Sequence, residues 1–160
     1  MAAIVHHLAL DVSGPLSGIR VLELGSFIAG PFAGQLLGDY GAEVIKVEPP
    51  EVGDPMRKWG HCDAEGHSFW WPAIARNKQS IAINLRAAEG RAVVRELALH
   101  SDVVLENFTP GRLAEWQLGY EHLAANNPGL IMTHVSGFGQ TGPRATDPGF
   151  GSIGEAMGGI

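Results

Sequence analysis

Residues 18–50 read GIRVLELGSFIAGPFAGQLLGDYGAEVIKVEPP, and this stretch decides the fold. The run Ile19 to Leu24 is short, apolar and bounded by glycines, which is typical of a buried parallel strand. A turn from Gly25 to Gly30 follows, and then a helix is predicted over Pro31 to Tyr40 and a second strand over Glu43 to Val47. The stretch therefore predicts a βαβ unit.

The helix of this unit carries signals at both ends. Pro31 suits the first helical position, where a missing N–H costs nothing, and Gly41 suits the left-handed residue just past the helix. Gly34 permits the helix to approach the sheet closely. The apolar face expected to pack on the sheet is formed by Phe32, Ala33, Leu36 and Leu37.

The turn before the helix is compatible with a ligand. A helix N-terminus presents free backbone N–H groups and a partial positive charge, which suit a phosphate. The glycines here do not form the G-x-G-x-x-G fingerprint, so no acidic residue is assigned to a ribose. VLELG is also similar to the first motif of Rossmann-like methyltransferases, although Ser26, Phe27 and Ile28 replace its closely spaced glycines. Spacing alone leaves a structural turn and a ligand-binding turn open.

Composition and charge argue against several classes of protein. The 160 residues are 45% hydrophobic, which is enough for one domain with a core. A net charge of −6 without a Lys/Arg cluster argues against a nucleic-acid partner. The single cysteine, Cys62, rules out an intramolecular disulfide and favours a cytoplasmic location. No apolar run approaches the ~18 residues of a membrane helix, and residues 1–15 are interpreted as an irregular lead-in.

The alternation of strands and helices continues beyond residue 50. Strands are predicted over Ser80 to Leu85, Asp102 to Glu106 and Leu130 to Val135, and helices over Ala87 to Leu99, Gly111 to Trp116 and Tyr120 to Ala125. In the long helix, Val93, Val94 and Leu97 are expected to point inward. The pattern predicts an α/β fold over residues 16–160, a Rossmann-like parallel sheet with helices on both faces. The long connection from Pro49 to Phe69 is poorly patterned, and such loops are often functional.

Five ordered motifs resemble the amino-terminal part of the class III CoA-transferases, the family of formyl-CoA transferase and carnitine CoA-transferase. They are the stretch quoted above, GDPMR, RNKQSIAINLR, DVVLENFTPG and SGFGQTGP, in the same order and spacing. The resemblance extends from Leu16 to Ile160. It implies an enzyme that moves coenzyme A between carboxylic acids without a metal or redox cofactor. The implied partners are an acyl-CoA, a small carboxylic acid and a second copy of the chain in an interlaced homodimer.

The resemblance also implies where CoA binds. Family members bind CoA with the turn after the first strand, and they hold its adenine end near the N-K-x-S strand and the Asn-Phe pair. Apolar and π faces suit a planar base, and an arginine suits a phosphate. Taken without the family, Phe108 as plain core and Arg86 as a helix cap remain alternatives. The implied CoA-binding residues are Ser26, Phe27, Ile28, Ala29, Ile83, Arg86, Asn107 and Phe108.

Two positions depart from the family pattern by losing positive charge. Glu115 aligns with a basic residue that helps to hold CoA in many relatives, and Pro49 aligns with an arginine found in some. Both differences reduce the positive charge of a site that is expected to hold phosphates. The cations close enough in sequence to compensate are Arg57, Lys58, Lys78, Arg86 and Arg112.

The family's nucleophile is an aspartate in a Gly-Asp motif, and its carboxylate attacks the acyl-CoA thioester. The resemblance places this motif beyond Ile160, so the chain is expected to be truncated relative to the family and inactive alone. Asp147 and Glu155 are nearby carboxylates, but neither occupies the nucleophile's place. Gly151 stands where many members have an acidic residue, and Phe150 stands where related α-methylacyl-CoA racemases have a catalytic histidine.

Other functions stay open as alternatives. The chain could be a non-catalytic module that binds CoA or a partner, and more remotely a racemase-type acyl-CoA enzyme or a methyltransferase. No metal site is expected, because His61, Cys62 and His67 fit no standard zinc spacing. Burial is expected for an aromatic cluster, Trp59, Phe69, Trp70 and Trp71.

Overall fold

The protein forms one five-stranded parallel sheet. The computed structural model describes residues 14–160, so most of the predicted lead-in lies outside the described residues. The strands are β1 (Arg20–Glu23), β2 (Glu43–Glu48), β3 (Lys78–Ala82), β4 (Val103–Glu106) and β5 (Ile131–His134). Their order across the sheet is β3-β2-β1-β4-β5, and every pairing is parallel. The carboxyl ends of all five strands therefore meet at one edge of the sheet.

Helices connect these strands. They are α1 (Ala29–Asp39), α2 (Trp71–Ala75), α3 (Ala88–Leu99), α4 (Arg112–Glu115), α5 (Tyr120–Ala124) and α6 (Gly151–Gly158), with a short 3₁₀ helix at Pro55–Lys58. Helices α2 and α6 were not predicted from the sequence, since one is a single turn among aromatic residues and the other is rich in glycine. No described helix is both long and apolar enough to cross a membrane.

The core consists of two apolar layers, one on each face of the sheet. On one face, Leu22 and Val104 belong to a cluster completed by residues of α3, α4 and α5. On the other face, Val21 and Leu105 belong to a smaller cluster with Ala33 and other residues of α1. Neighbouring strand residues point to opposite faces, which separates the two clusters. The predicted Rossmann-like α/β sheet with helices on both faces is confirmed.

Helix α1 contacts the sheet with its small residues. It begins at Ala29, two residues earlier than predicted, and its buried positions are Gly30, Pro31, Gly34, Gln35 and Gly38. Ala33 and Leu37 pack as expected, but the prediction is wrong for Phe32 and Leu36, which are 48% and 41% exposed. A Cβ at Gly34 would lie only 1.9 Å from a carboxylate oxygen of Glu23, so helix and sheet are too close for large side chains between them. Gly41 adopts the predicted left-handed conformation, with φ of 100°.

Two other burial predictions need correction. In α3, Val94 is fully buried and Leu97 packs against the core, but Val93 is 46% exposed because the buried stripe of the helix is narrower than expected. The aromatic cluster is also more exposed than predicted. Trp59, Phe69 and Trp70, which lie on the connection between β2 and α2, each expose more than half of their surface. Strand β3 starts at Lys78, before the predicted Ser80.

Candidate functional site: a cavity at the carboxyl edge of the sheet

A cavity of about 520 Å³ opens where the carboxyl ends of β1, β2 and β4 meet the segment after β3. This volume falls in the range of small-molecule sites. Its apolar wall includes Leu24, Val47, Ile83, Phe108 and Trp116. Its polar groups include Ser26, Glu48, Glu51, Asn84 and Arg86. Apolar walls with a few polar groups at this edge are typical of ligand sites in open parallel sheets.

Phe108 and Trp116 form the aromatic side of the cavity. Their rings meet edge to face with centroids 5.5 Å apart. The Phe108 N–H donates to Glu106 Oε2 at 2.6 Å, and the other oxygen of this buried carboxylate contacts His134 Nδ1. Phe108 also packs against the core, so the core alternative and the ligand-facing alternative both describe this side chain in part.

The turn between β1 and α1 is tied to the β4 turn by one side chain. Asn107 Oδ1 accepts from the Ser26 N–H at 2.8 Å, and Asn107 Nδ2 donates to the Ser26 carbonyl at 2.9 Å. Gly25 makes room for this amide, since a Cβ there would lie 2.6 Å from Asn107 Oδ1. The amide of Asn107 is thus used to shape the turn, and this residue does not line the cavity.

Phe27 has an unusual backbone conformation in this turn. Its φ is 70°, a left-handed value that is uncommon for a residue other than glycine. Its N–H donates to Asp54 at 3.1 Å, and its ring meets Trp59 edge to face with centroids 4.7 Å apart. Such conformations persist where surrounding contacts enforce them, and they concentrate at functional sites.

Four charged side chains are completely buried beneath the turn. Lys46 Nζ lies 2.9 Å from Glu23 Oε1 and 2.8 Å from Asp54 Oδ2, and Lys78 Nζ lies 2.8 Å from Glu23 Oε2. Each of the four side chains is at most 2% exposed. Burial lowers the pKa of Lys78, while the neighbouring Glu23 opposes this shift. Two ammonium groups face two carboxylates, so this group, here called the buried ion cluster, is neutral.

Glu48 is a second buried carboxylate at the end of β2. Arg57 Nε and Nη2 donate to its two oxygens at 2.7 and 2.8 Å, and Ser80 and the Asp54 N–H also donate to it. Burial by itself would raise the pKa of Glu48, but these hydrogen bonds outweigh it and lower the pKa to about 2. Because its acceptors are occupied, Glu48 is not available to bind a ribose in the way that dinucleotide-binding folds use this position.

The structure brings half of the predicted CoA-binding residues to the cavity. Ser26, Ile83, Arg86 and Phe108 line it. The others, Phe27, Ile28, Ala29 and Asn107, form or fix the adjoining turn, where Ile28 is the residue before α1. Arg86 does not cap the following helix. Instead, the Arg91 guanidinium donates to the carbonyls of Leu85 and Arg86.

Of the cations proposed to compensate for lost charge, one reaches the main cavity. Arg86 lines it, whereas Arg57 lines a smaller neighbouring cavity of about 290 Å³. Lys78 is committed to the buried ion cluster, and Arg112 pairs with Glu115 at 2.7 Å. Positive charge around the cavity is therefore sparse among the described residues.

Trp116 and the buried ion cluster were not predicted from the sequence as part of the site, whereas Asn84 lies within the predicted segment Ile83 to Arg86. A signal for the cluster was present, because Glu23 and Lys46 are charged residues within strands that are otherwise apolar. Charged side chains in such strands are rarely buried without a partner. Sequence periodicity could not reveal which groups would pair.

A group of possible metal ligands lies on the connection before α2. Donor atoms of Asp63, Glu65 and His67 fall within 4.8 Å of one another. The Asp63 carboxylate already accepts from the backbone N–H groups of Glu65 and His67, and the His67 N–H is the main cause of its lowered pKa. These hydrogen bonds of an exposed turn account for the short distances between the three side chains.

Comparison with known proteins agrees with this fold. The model of CoA-transferase family III matches residues 16–160. A succinyl-CoA–D-citramalate CoA-transferase of Chloroflexus aurantiacus is 66% identical over 146 residues, covering 91% of this chain and 36% of the relative. A succinyl-CoA:glutarate CoA-transferase of Mus musculus is 45% identical over 150 residues, covering 94% and 34%.

Solved structures give the same result. The crystal structure of a CaiB/BaiF family protein from Brucella suis aligns with a TM-score of 0.85 and 47% identity, over 92% of this chain and 40% of that one. The chain thus spans little more than a third of the length of the relatives that it matches. The fold is that of a CoA-transferase domain. The chain belongs to CoA-transferase family III.

Proposed function

We propose that residues 16–160 form the CoA-binding portion of an enzyme that moves CoA between carboxylic acids. The observation that supports this most strongly is the cavity at the carboxyl edge of the sheet, with its aromatic wall, one arginine and the fixed turn beside it. An adenine base would lie between the aliphatic side chains of the apolar wall and its pair of aromatic rings. Arg86 then donates to a CoA phosphate, and the turn from Ser26 to Ala29 faces the remainder of the ligand.

The proposed chemistry uses an aspartate that lies outside this sequence. Its carboxylate attacks the carbonyl carbon of the acyl-CoA thioester and releases CoA thiolate, which leaves a mixed anhydride. The thiolate then attacks the aspartyl carbonyl, so the original acid departs and an aspartyl-CoA thioester remains. The reverse sequence with a second carboxylic acid delivers CoA to the acceptor. No metal or redox cofactor takes part in these steps.

The names of both curated relatives point to a donor to test first. They are described as acting on succinyl-CoA. We therefore propose succinyl-CoA as the donor and a small dicarboxylic acid as the acceptor. The assay is transfer of CoA by a version of the chain extended through the Gly-Asp motif, with the 160-residue chain as comparison. Turnover is expected from the extended chain and not from the 160-residue chain. Equal turnover by the 160-residue chain would contradict the placement of the nucleophile.

Binding of CoA to the 160-residue chain can be measured directly by titration calorimetry. Arg86→Ala is expected to weaken binding about tenfold or more, because charge-assisted hydrogen bonds contribute roughly 1.5–3 kcal/mol. Arg20→Ala is the matched control, since it removes the same charge at the amino end of β1, where Arg20 pairs with Glu43. Saturable binding of S-adenosylmethionine in place of CoA would favour the methyltransferase alternative.

We also propose that the protein assembles as a homodimer in the cytoplasm. Helix α1 carries an exposed apolar stripe at four-residue spacing, and such stripes are unusual on the surface of a monomer. The stripe consists of Ile28, Phe32, Leu36 and Tyr40. Sedimentation should give a mass of two copies, and Phe32→Ser/Leu36→Ser should shift it toward one. The exposed free thiol of Cys62 supports a reducing compartment.

A further inference from the structure

The β1–α1 turn is held by side chains from outside its own sequence at almost every residue. Lys46 Nζ donates to the Gly25 carbonyl at 2.9 Å, and Asn107 binds both backbone groups of Ser26. Asp54 accepts from the Phe27 N–H. Three of the four consecutive residues between β1 and Ile28 are thus fixed before any ligand arrives.

The same buried groups also reach the helix that follows the turn. Lys78 Nζ donates to the Pro31 carbonyl at 2.6 Å while it pairs with Glu23. The buried ion cluster therefore connects three adjacent strands and the post-β2 connection to both ends of one turn. Gly34 is the residue that permits this, because its missing side chain leaves room for the Glu23 carboxylate.

The N–H groups of Ile28, Ala29 and Gly30 are left free by this arrangement. They belong to the start of α1, where backbone donors have no intrahelical acceptor. No other group in the described part of the chain accepts from them. The turn is therefore fixed on both sides of these N–H groups, which can donate hydrogen bonds to an oxygen of a ligand.

We infer that Lys46, Glu23, Lys78 and Asp54 are positioning residues that hold the β1–α1 turn in its ligand-binding conformation before CoA binds. The inference rests on the proposed function, because it takes CoA as the ligand of this turn. Buried ionic clusters are costly compared with apolar packing, so retaining four buried charges for stability alone is poorly explained. Their contacts instead converge on the turn, and Asp54 holds the strained Phe27 directly.

The test is calorimetric titration of CoA into the 160-residue chain and its Asp54→Asn variant. The variant keeps the size of the side chain, but it presents a neutral amide to the Lys46 ammonium. It also weakens the hydrogen bond that the side chain accepts from the Phe27 N–H. The left-handed conformation is costly for a residue with a side chain. The fraction of molecules with the turn in its ligand-binding conformation should therefore fall to about a tenth, and the Kd for CoA should rise about tenfold. The companion Lys46→Met/Asp54→Asn keeps the cluster neutral and should also lose affinity, even if the single variant folds poorly.

Two further variants separate positioning from general stability. Val44→Ala makes a cavity in the core layer at the amino half of β2, away from the turn, and serves as a control for lost stability. Its Kd for CoA should stay within about twofold of the native value. In a Phe27→Gly background, Asp54→Asn should weaken CoA binding much less than it does in the native chain, because glycine adopts positive φ without steric cost and does not need Asp54 to hold that conformation.

The outcomes distinguish the two proposals. If the native chain binds CoA and Asp54→Asn weakens binding no more than Val44→Ala does, the positioning inference is overturned and the proposed function stands. An equal loss of affinity from Asp54→Asn in the native chain and in the Phe27→Gly background overturns it as well. If the native chain does not bind CoA at all, the proposed function fails, and the inference fails with it.

Discussion

At the scale of single residues, one missing side chain decides how α1 meets the sheet. Gly34 faces the carboxylate of Glu23, which is buried and contacted by two lysines. Any side chain at position 34 must push α1 away or displace a buried charge. Both changes are unfavourable, since a displaced carboxylate loses its partners in a medium of low polarity.

The Gly34→Ala substitution should destabilise the protein by about 1–3 kcal/mol or more, the usual range for overpacking. Gly154→Ala is the matched control, because Gly154 also lies in a helix but a Cβ there meets nothing within 4 Å. The control should be neutral or slightly stabilising, since alanine favours helix. Urea unfolding of both variants measures the difference. Equal stability of the two would show that α1 can move away from Glu23 at little cost.

Glu48 should make the stability of the protein depend on pH in the acid range. Its pKa in the folded protein is about 2, below the ordinary value of 4.5. A carboxylate with a lowered pKa contributes stability that is complete above its unfolded pKa and is lost as the pH falls through its folded pKa. This contribution should therefore decline between about pH 4.5 and pH 2.

The Glu48→Gln variant should be less stable at neutral pH and should show a smaller further loss over that acid range. Glu89→Gln, an exposed change in the first turn of α3, is the control. Thermal melting across the pH range provides the measurement. A native-like acid profile for Glu48→Gln would mean that other carboxylates dominate acid unfolding.

At the scale of elements, α3 illustrates how closely a helical pattern approaches the observed packing. The predicted bounds differ by one residue from Ala88–Leu99. The inward face was less accurate, because Val93 and Val94 are neighbours around the helix and only one of them can point at the sheet. The periodicity of the apolar residues located the buried stripe of α3, but the width of that stripe depends on how closely the helix packs on the sheet.

Truncation of Val94 to alanine should cost about 2 kcal/mol, since two methyl groups leave a packed core. The same change at Val93, which is 46% exposed, should stay within about 0.5 kcal/mol of the native protein. The pair is chemically identical, so helix propensity cancels. Denaturant unfolding compares them, and a similar loss for both would show that Val93 is buried in solution, as in an interface between two copies of the chain.

At the scale of the whole molecule, the strand order places the site. Strand β1 is central, and its residues Val21 and Leu22 are completely buried. The edge strands β3 and β5 have mostly exposed residues. The cavity lies beside this central strand, so the turn that follows β1 starts from a buried strand that is paired on both sides.

Amide hydrogen exchange should follow this order. Exchange is expected to be slowest in β1 and in the adjacent β4, and faster in β5. Local opening requires less free energy where few apolar contacts break. Exchange followed by mass spectrometry or NMR measures this directly. Protection of β5 equal to that of β1 would indicate that the edge is covered in solution.

Much of the fold could be predicted from the sequence because its signals are local. Short branched runs between glycines marked the strands, and Gly41 marked the end of α1 through its left-handed conformation. Four of the eight CoA-binding residues implied by the family motifs line the cavity. Trp116 could not be predicted, since it joins the cavity only because the segment after β4 lies beside the segments that follow β1, β2 and β3.

The parallel α/β fold could be predicted from the sequence alone, since it follows from periodicity and from residues with special backbone conformations. A CoA site at the turn after β1 is implied by the family motifs and remains a prediction. Only the tertiary structure decided that Glu23, Lys46, Asp54 and Lys78 form a neutral buried cluster beneath that turn. The physical reason is that ion pairing inside a protein depends on distances between residues far apart in sequence. Periodicity contains no information about those distances.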